Sequence, residues 1–139
     1  MKISFSIPGE PVGKGRPKFA RRGNFVQTYT PEKTASYENL VKLCYRQVPE
    51  SEYAFAERPI QVNILAKFSI PKSASKKKHL EMLGGTVRPT KKPDVDNLVK
   101  SILDALNGVA YKDDSQVVEL TIGKIYSENP LTIVTIEDL

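Results

Sequence analysis

The chain has 139 residues, 40% hydrophobic and 27% charged, which fits one globular domain with its own core rather than a disordered chain. A single cysteine, Cys44, and a single histidine, His79, exclude a disulfide scaffold and zinc sites rich in Cys or His. The net charge of +5 hides a division: residues 1–92 hold 18 Lys+Arg against 7 Asp+Glu, or +11, and residues 93–139 hold 3 against 9, or −6. No apolar run approaches the ~18 residues of a membrane span, and the first residues lack the apolar core of a signal peptide. The chain therefore reads as a soluble intracellular domain with a polyanion for a partner.

The elements follow in chain order. Ile3, Phe5 and Ile7 alternate with Lys2, Ser4 and Ser6, the pattern of a strand with one buried face. Residues 9–30 read as a loop rich in Gly, Lys, Arg and aromatic residues. A helix is expected after Thr30–Pro31, with proline at its first position and an apolar stripe of Tyr37, Leu40, Val41, Cys44, Tyr45 and Val48. Pro49 ends it, and Cys44 on the stripe reads as a core residue. Ile60, Val62, Ile64, Ala66, Phe68 and Ile70 share one face of a clear strand. Residues 71–92 read as a basic, partly mobile insertion that includes a short helix at Ser75–Leu83. Val95, Leu98, Val99, Ile102, Leu103 and Leu106 make a strongly amphipathic helix closed by Asn107–Gly108. Residues 116–126 and 131–137 read as two strands joined near Asn129–Pro130. The predicted fold class is α/β (α+β): one domain over residues 1–139, with a mixed sheet packed against helices.

Six of the nine acids of the last third fall in or just around one motif: Asp94, Asp96, Asp104, Asp113, Asp114 and Glu119. Asp94 and Asp96 open the amphipathic helix, and Lys100 lies one turn on. Asp113 and Asp114 precede the next strand. Carboxylates are the oxygen donors that Mg²⁺ takes, usually one or two with waters and substrate phosphate. Such a site suits phosphodiester hydrolysis, which needs an activated water and a neutralised developing charge. Plain alternatives exist for each residue: a helix cap at Asp94 or Asp96, a surface pair between Asp96 and Lys100, turn residues at Asp113–Asp114. The helix spans about 18 Å, so the two acidic pairs meet only if the following strand runs back along it or the 109–112 loop carries them together. The spacing leaves both open.

The basic residues suit phosphate contacts. Lys14, Arg16, Lys18, Arg21 and Arg22 crowd a segment with Gly13, Gly15, Gly23, Phe19 and Phe25. Glycines let backbone amides approach phosphates, and aromatic rings stack on unpaired bases. Lys76, Lys77, Lys78, Arg88, Lys91 and Lys92 form a second DNA-binding cluster, with Lys72 beside it. A solvated charge run is the plain reading of either. His79 reads as a surface residue, and Tyr111 and Tyr126 as packing residues.

The stretch PDVDNLVKSILDALNGVAYKDDSQV resembles the signature of the RusA family of Holliday junction resolvases: Asp-x-Asp-Asn, a Lys, Asp-Ala-Leu, a short turn, then Asp-Asp-x-Gln-Val. PGEPVGKGRPKF and YTPEKTASYE resemble the opening of phage and prophage members, and together the two regions cover about half the chain. The resemblance implies a homodimeric, Mg²⁺-dependent endonuclease, with Mn²⁺ as a substitute, that resolves four-way DNA junctions by paired symmetric cuts in recombination and repair. It implies a RusA-like fold and a cytoplasmic setting, in a bacterial or phage-infected cell, with no membrane partner. Asp94, Asp96 and Asp114 match the metal-binding aspartates, Asp113 the acid beside them, and Lys100 the catalytic lysine. On that assignment the aspartates hold the metal against the scissile phosphate, and Lys100 stabilises the charge that develops there. Residues 71–92 depart from the family pattern, being longer than in compact members. A nuclease for other branched or duplex DNA, and a non-catalytic DNA-binding protein, are the competing expectations.

Overall fold

In the computed structural model, residues 1–16, 18–29 and 31–139 are described, apart from the side chains of Lys18, Ala20, Arg22, Thr28 and Tyr29. The alternation at the N-terminus becomes β1 (Lys2–Pro8), which buries Ile3, Phe5 and Ile7 and exposes the residues between them. Residues 9–30 depart from the expected loop. They contain a hairpin, β2 (Lys18–Arg22) and β3 (Phe25–Tyr29), paired so that Arg22 faces Phe25 across Gly23–Asn24. Gly23 has φ +62°, the positive value that a two-residue hairpin turn demands at its first position. The described side chains of the hairpin are all exposed, so no buried face imprints a period on its sequence.

Helix α1 (Glu32–Arg46) turns Tyr37, Val41 and Tyr45 inward. Pro31 occupies the N-cap, one position earlier than expected, and Thr30 lies outside the described residues. Strand β4 (Ile60–Ser69) buries Ile60, Val62, Ile64, Ala66 and Phe68, and stops one residue short of Ile70. Helix α2 (Lys76–Leu83) starts where Ser75 Oγ accepts from the Lys78 amide at 3.2 Å. Helix α3 (Val95–Leu106) follows Asp94, and β5 (Val117–Ser127) and β6 (Leu131–Asp138) complete the chain.

The sheet order is β1-β6-β4-β5. β6 is antiparallel to both β1 and β4, and β4 is parallel to β5, so the sheet is mixed as expected. Parallel neighbours need a crossover, and α3 lies within it. One face of the sheet carries α1 and α3. Between them lie Ile3, Phe5, Ile7, Tyr37, Val41, Tyr45, Val62, Ile102, Leu106 and Ile136, each contributing about 1.5–3 kcal/mol by leaving water. Phe5 meets Tyr45 edge-on at 5.4 Å. The Tyr45 hydroxyl donates to the Ser51 carbonyl at 2.6 Å, and burial pushes its pKa up to about 12.

The direction of α3 matters most for function. Leu98, near its start, packs on Ala66, Phe68, Ile122 and Tyr126, at the ends of β4 and β5. Ile102 and Leu106 join Ile60, Val62 and Val117, at the beginnings of those strands. The helix therefore runs antiparallel to β5. Among the described residues, no helix is long and apolar enough to cross a membrane.

Candidate active site

Asp94 occupies the N-cap of α3 with extended backbone, yet its carboxylate makes no capping hydrogen bond. Asp96 lies in the first turn, exposed. Neither carboxylate has a hydrogen-bond or ion-pair partner among the described residues, so the side-chain cap and Asp96–Lys100 alternatives are not what the structure contains. The Lys100 ammonium stands 4.0 Å from Asp104, one turn on, instead. The helix dipole favours both carboxylates at this end and leaves their oxygens available.

Two features fix the start of α3. Lys124 of β5 donates to the carbonyls of Lys91 at 2.5 Å and Pro93 at 2.9 Å, with its ammonium over the Phe68 ring. Arg88 in turn donates to the Lys124 carbonyl at 2.9 Å. On the other side the 11–15 segment is stitched to the helix: Ser101 Oγ donates to the Val12 carbonyl at 2.7 Å and the Lys14 amide to the Asn97 carbonyl at 2.8 Å. A Cβ at Gly13 would stand 2.6 Å from the Pro93 Cβ, so only glycine allows this approach. Gly15 donates its amide to Thr34 Oγ1 at 2.9 Å. A cleft of about 400 Å³ remains between the segment and the helix, lined by Lys14, Lys33, Lys92, Pro93 and Asn97 among others.

The other acidic pair lies past the far end of α3. Asp113 caps the 3₁₀ turn Asp114–Gln116: its carboxylate accepts from the Ser115 amide at 3.0 Å, and Gln116 Oε1 accepts from the Asp113 amide at 2.9 Å. The Ser115 hydrogen bonds hold the Asp113 carboxyl below its usual pKa. Asp113 is thus a turn residue, as its plain alternative has it. Asp114 is half-buried and has no such partner among the described residues. Tyr111 is fully buried and donates to the Leu103 carbonyl at 2.8 Å. Burial, and then the charges of Asp114, Asp104 and Asp113, push its pKa far above the ordinary tyrosine value.

The four aspartates therefore divide. Asp94 and Asp96 sit at the start of α3, and Asp113 and Asp114 lie beyond its end, with about 18 Å of helix between. The strand does run back along the helix, but it begins, rather than ends, beside Asp114. Among the described residues, no three Asp, Glu, His or Cys side chains stand close enough to hold a metal ion. The carboxylates of Asp94, Asp96 and Asp114 have the donor chemistry for Mg²⁺, but one chain does not assemble them.

The basic residues also divide. Arg16, Arg21, Lys76, Lys77, Lys78, Lys91 and Lys92 are exposed. Lys18 and Arg22 belong to β2, with side chains outside the described residues. Phe19, Phe25 and Val26 project from the hairpin beside Arg21, Phe25 78% exposed. Lys14 is placed differently from a free phosphate contact: it pairs with Glu38 at 2.5 Å and Asp104 at 3.3 Å. Burial lowers its pKa, but the hydrogen bonds and charges of those acids outweigh this, and the net shift is upward. Arg88 braces β5. His79 lies 3.5 Å from Glu128 at the surface. Lys124 and Lys33 escaped the sequence reading; the signal for Lys124 was a lysine on the inward face of β5, between Ile122 and Tyr126.

Comparison with known proteins agrees with the motif. The family model described as endodeoxyribonuclease RusA matches residues 8–137. The chain is 41% identical over 140 residues to the uncharacterized protein YqaN of Bacillus subtilis (strain 168), covering 99% of this chain and 96% of that one. With nearly its whole length matched, the chain belongs to the RusA endodeoxyribonuclease family.

Proposed function

We propose that the protein is a divalent-metal-dependent endonuclease that resolves four-way DNA junctions as a homodimer, in recombination and repair in the cytoplasm of a bacterial or phage-infected cell. The observation that carries the reading is the start of α3: two carboxylates without partners, held in place from both sides, next to a cleft lined by Lys33 and Lys92. A divalent cation such as Mg²⁺ would supply charge neutralisation and an acidified water. Lys100 is exposed one turn from Asp96 and suits orienting a phosphate. The hairpin and the first turn of α2 offer basic residues to the backbone, and Phe19 and Phe25 offer faces to unpaired bases. Two symmetric cuts need two sites, which a two-fold dimer provides.

The test is cleavage of labelled four-way junction and of duplex, in Mg²⁺ or chelator, by wild type and Asp96→Asn. Paired cuts in the junction, lost in chelator and in Asp96→Asn while binding survives, support the reading. Preferential cutting of duplex makes it a nuclease of another substrate. Binding with no cutting in any metal makes it a DNA-binding protein.

A further inference from the structure

Asp114 opens its 3₁₀ turn with no hydrogen-bond or ion-pair partner for its carboxylate among the described residues, so other groups fix where it stands. Gln116, two residues on, is used from both ends of its carboxamide. Its Oε1 accepts from the Lys112 and Asp113 amides, each at 2.9 Å, and its Nε2 donates to the Arg58 carbonyl at 2.9 Å. Two N–H groups on one side and a carbonyl on the other leave a single orientation for the amide. The turn is thereby tied to residues 53–58, and these are firmly seated. Phe55 is fully buried, as is Tyr111 in the facing segment. The Tyr53 amide donates to the Val109 carbonyl at 2.8 Å, the Phe55 amide to the Ala110 carbonyl at 3.0 Å, and the Lys112 amide to the Ala56 carbonyl at 3.0 Å. Glu57 pairs with Lys112 at 2.8 Å. Tyr53 and Ala56 keep φ of +49° and +45°, left-handed values that residues with a Cβ hold only where their surroundings enforce them. The ladder between 53–56 and 109–112 is that enforcement, and the bond from Gln116 to Arg58 extends it to the turn that carries Asp114.

Building on the metal-dependent nuclease reading, we infer that Gln116 is the positioning residue for Asp114 in that reaction, its carboxamide fastening the 112–116 turn to the loop before β4. A 3₁₀ turn this short has little hydrogen bonding of its own. Without the carboxamide, Lys112 keeps the Ala56 carbonyl as a second acceptor, whereas the Asp113 amide has no other partner among the described residues. The Asp113 carboxylate still holds the Ser115 amide, but the turn is then closed on itself and no longer fastened to residue 58. The direction of the Asp114 carboxylate is lost with that fastening. The acids of the motif thus have separate supports: Lys124 of β5 sets the residue before Asp94, and Gln116 with the 53–58 loop sets Asp114. Reacting groups need such supporting contacts, because a small displacement costs about tenfold or more in rate.

The experiment compares the full-length wild type with Gln116→Met, which matches the side chain in length and makes none of its hydrogen bonds. Junction cutting gives kcat, KM and the Mg²⁺ concentration for half-maximal rate. Without DNA, amide NMR spectra give the Mn²⁺ concentration that broadens the Asp114 signal and the exchange rate of the Asp113 amide. In Gln116→Met, kcat should fall about tenfold or more and KM for the junction should stay within about twofold. Both metal concentrations should rise about tenfold or more, and the Asp113 amide should exchange faster. Ile3→Val on β1, at the opposite edge of the sheet, is the control for lowered stability: it loses a buried methyl group and should leave both metal concentrations unchanged. Gln116→Met with wild-type kcat and metal requirement overturns the inference, as does a metal requirement raised no more than in Ile3→Val. If Gln116→Met fails to fold, Gln116→Glu replaces it, keeping the acceptor for Lys112 and Asp113 and losing the donor to Arg58; wild-type kcat and metal requirement there overturn the inference equally. Broadening by Mn²⁺ does not depend on cutting. Wild type that cuts no junction, yet shows a Mn²⁺ response at Asp114 that weakens in Gln116→Met, refutes the proposed substrate and leaves the positioning role standing. A wild-type Asp114 signal indifferent to Mn²⁺ overturns that role.

Discussion

The Lys124 ammonium donates at 2.9 Å to the carbonyl of Pro93, the residue immediately before Asp94. A side chain of the edge strand thus sets where the first acidic residue of the motif begins. Lys124→Met keeps an aliphatic stem over Phe68 and removes both hydrogen bonds. Hydrogen bonds to charged groups are worth about 1.5–3 kcal/mol, so urea unfolding should report a loss of that order. Junction cutting should slow about tenfold or more, since small misplacements of reacting groups are costly, while junction affinity changes little.

Gly13→Ala puts a methyl group 2.6 Å from the Pro93 Cβ and 3.2 Å from that of Asn97. The 11–15 segment must lift from α3 or the helix must shift. The expected cost is about 1–3 kcal/mol in urea unfolding. Gly84→Ala is the comparison: its φ of −77° suits alanine, its nearest neighbour is the Leu80 carbonyl oxygen at 3.3 Å, and its loss should be smaller.

Lys14→Met removes the cation shared by Glu38 and Asp104, and should cost about 1 kcal/mol near neutral pH. The pH dependence has a definite sign. The folded-state pKa is raised above 10.5, so the stabilisation is complete below 10.5 and disappears as pH rises through the folded value. The difference in unfolding free energy between wild type and Lys14→Met should stay level across neutral pH and narrow only in strongly alkaline solution.

Asp113 and Asp114 should separate on mutation. Asp113→Asn retains a side-chain oxygen for the Ser115 amide, and asparagine is a good N-cap, so folding and cutting should stay close to wild type. Asp114→Asn should abolish cutting with junction binding retained. The carboxyl of Asp113 lies below its ordinary 3.8, so its cap is at full strength above pH 3.8 and weakens as pH falls through the lower folded value. Wild type should therefore lose stability in acid where Asp113→Asn does not.

Phe25→Ala tests the hairpin. The ring is 78% exposed, so thermal unfolding should be unchanged. Stacking on an unpaired base is worth about 1–3 kcal/mol, so binding to a junction should weaken by roughly that amount, and binding to duplex by less. Electrophoretic titration of both DNAs measures it.

What the sequence made legible was whatever buried one face at a constant period. β1, β4 and α3 are of that kind, with Ile3-Phe5-Ile7, the run from Ile60 to Phe68, and the stripe from Leu98 to Leu106. The hairpin was not legible from periodicity because its described side chains are exposed, although Gly23–Asn24 is a turn signal for two flanking strands. The motif from Asp94 to Asp114 named the acids but not their separation. That depends on β5 pairing parallel to β4, which no local pattern encodes. Lys14 stood in a run of basic residues and looked free, since its partners Glu38 and Asp104 lie on two different helices. Lys124 was invisible for the opposite reason: an isolated lysine on an acidic stretch draws no notice until the fold shows which carbonyls it holds.

The last strand of the chain, β6, lies in the interior of the sheet between β1 and β4. During synthesis, β1 and β4 emerge with no native neighbour to join them, and remain unjoined until residues 131–138 are made. The sheet therefore closes by insertion of its final strand, through pairings that span almost the whole chain, a topology that folds slowly compared with local contacts. Until then the β4–β5 pair can receive α3, but the core lacks Val134 and Ile136, and β1 has no strand to pair with. The four-stranded sheet is therefore continuous only once residues 131–138 stand between β1 and β4.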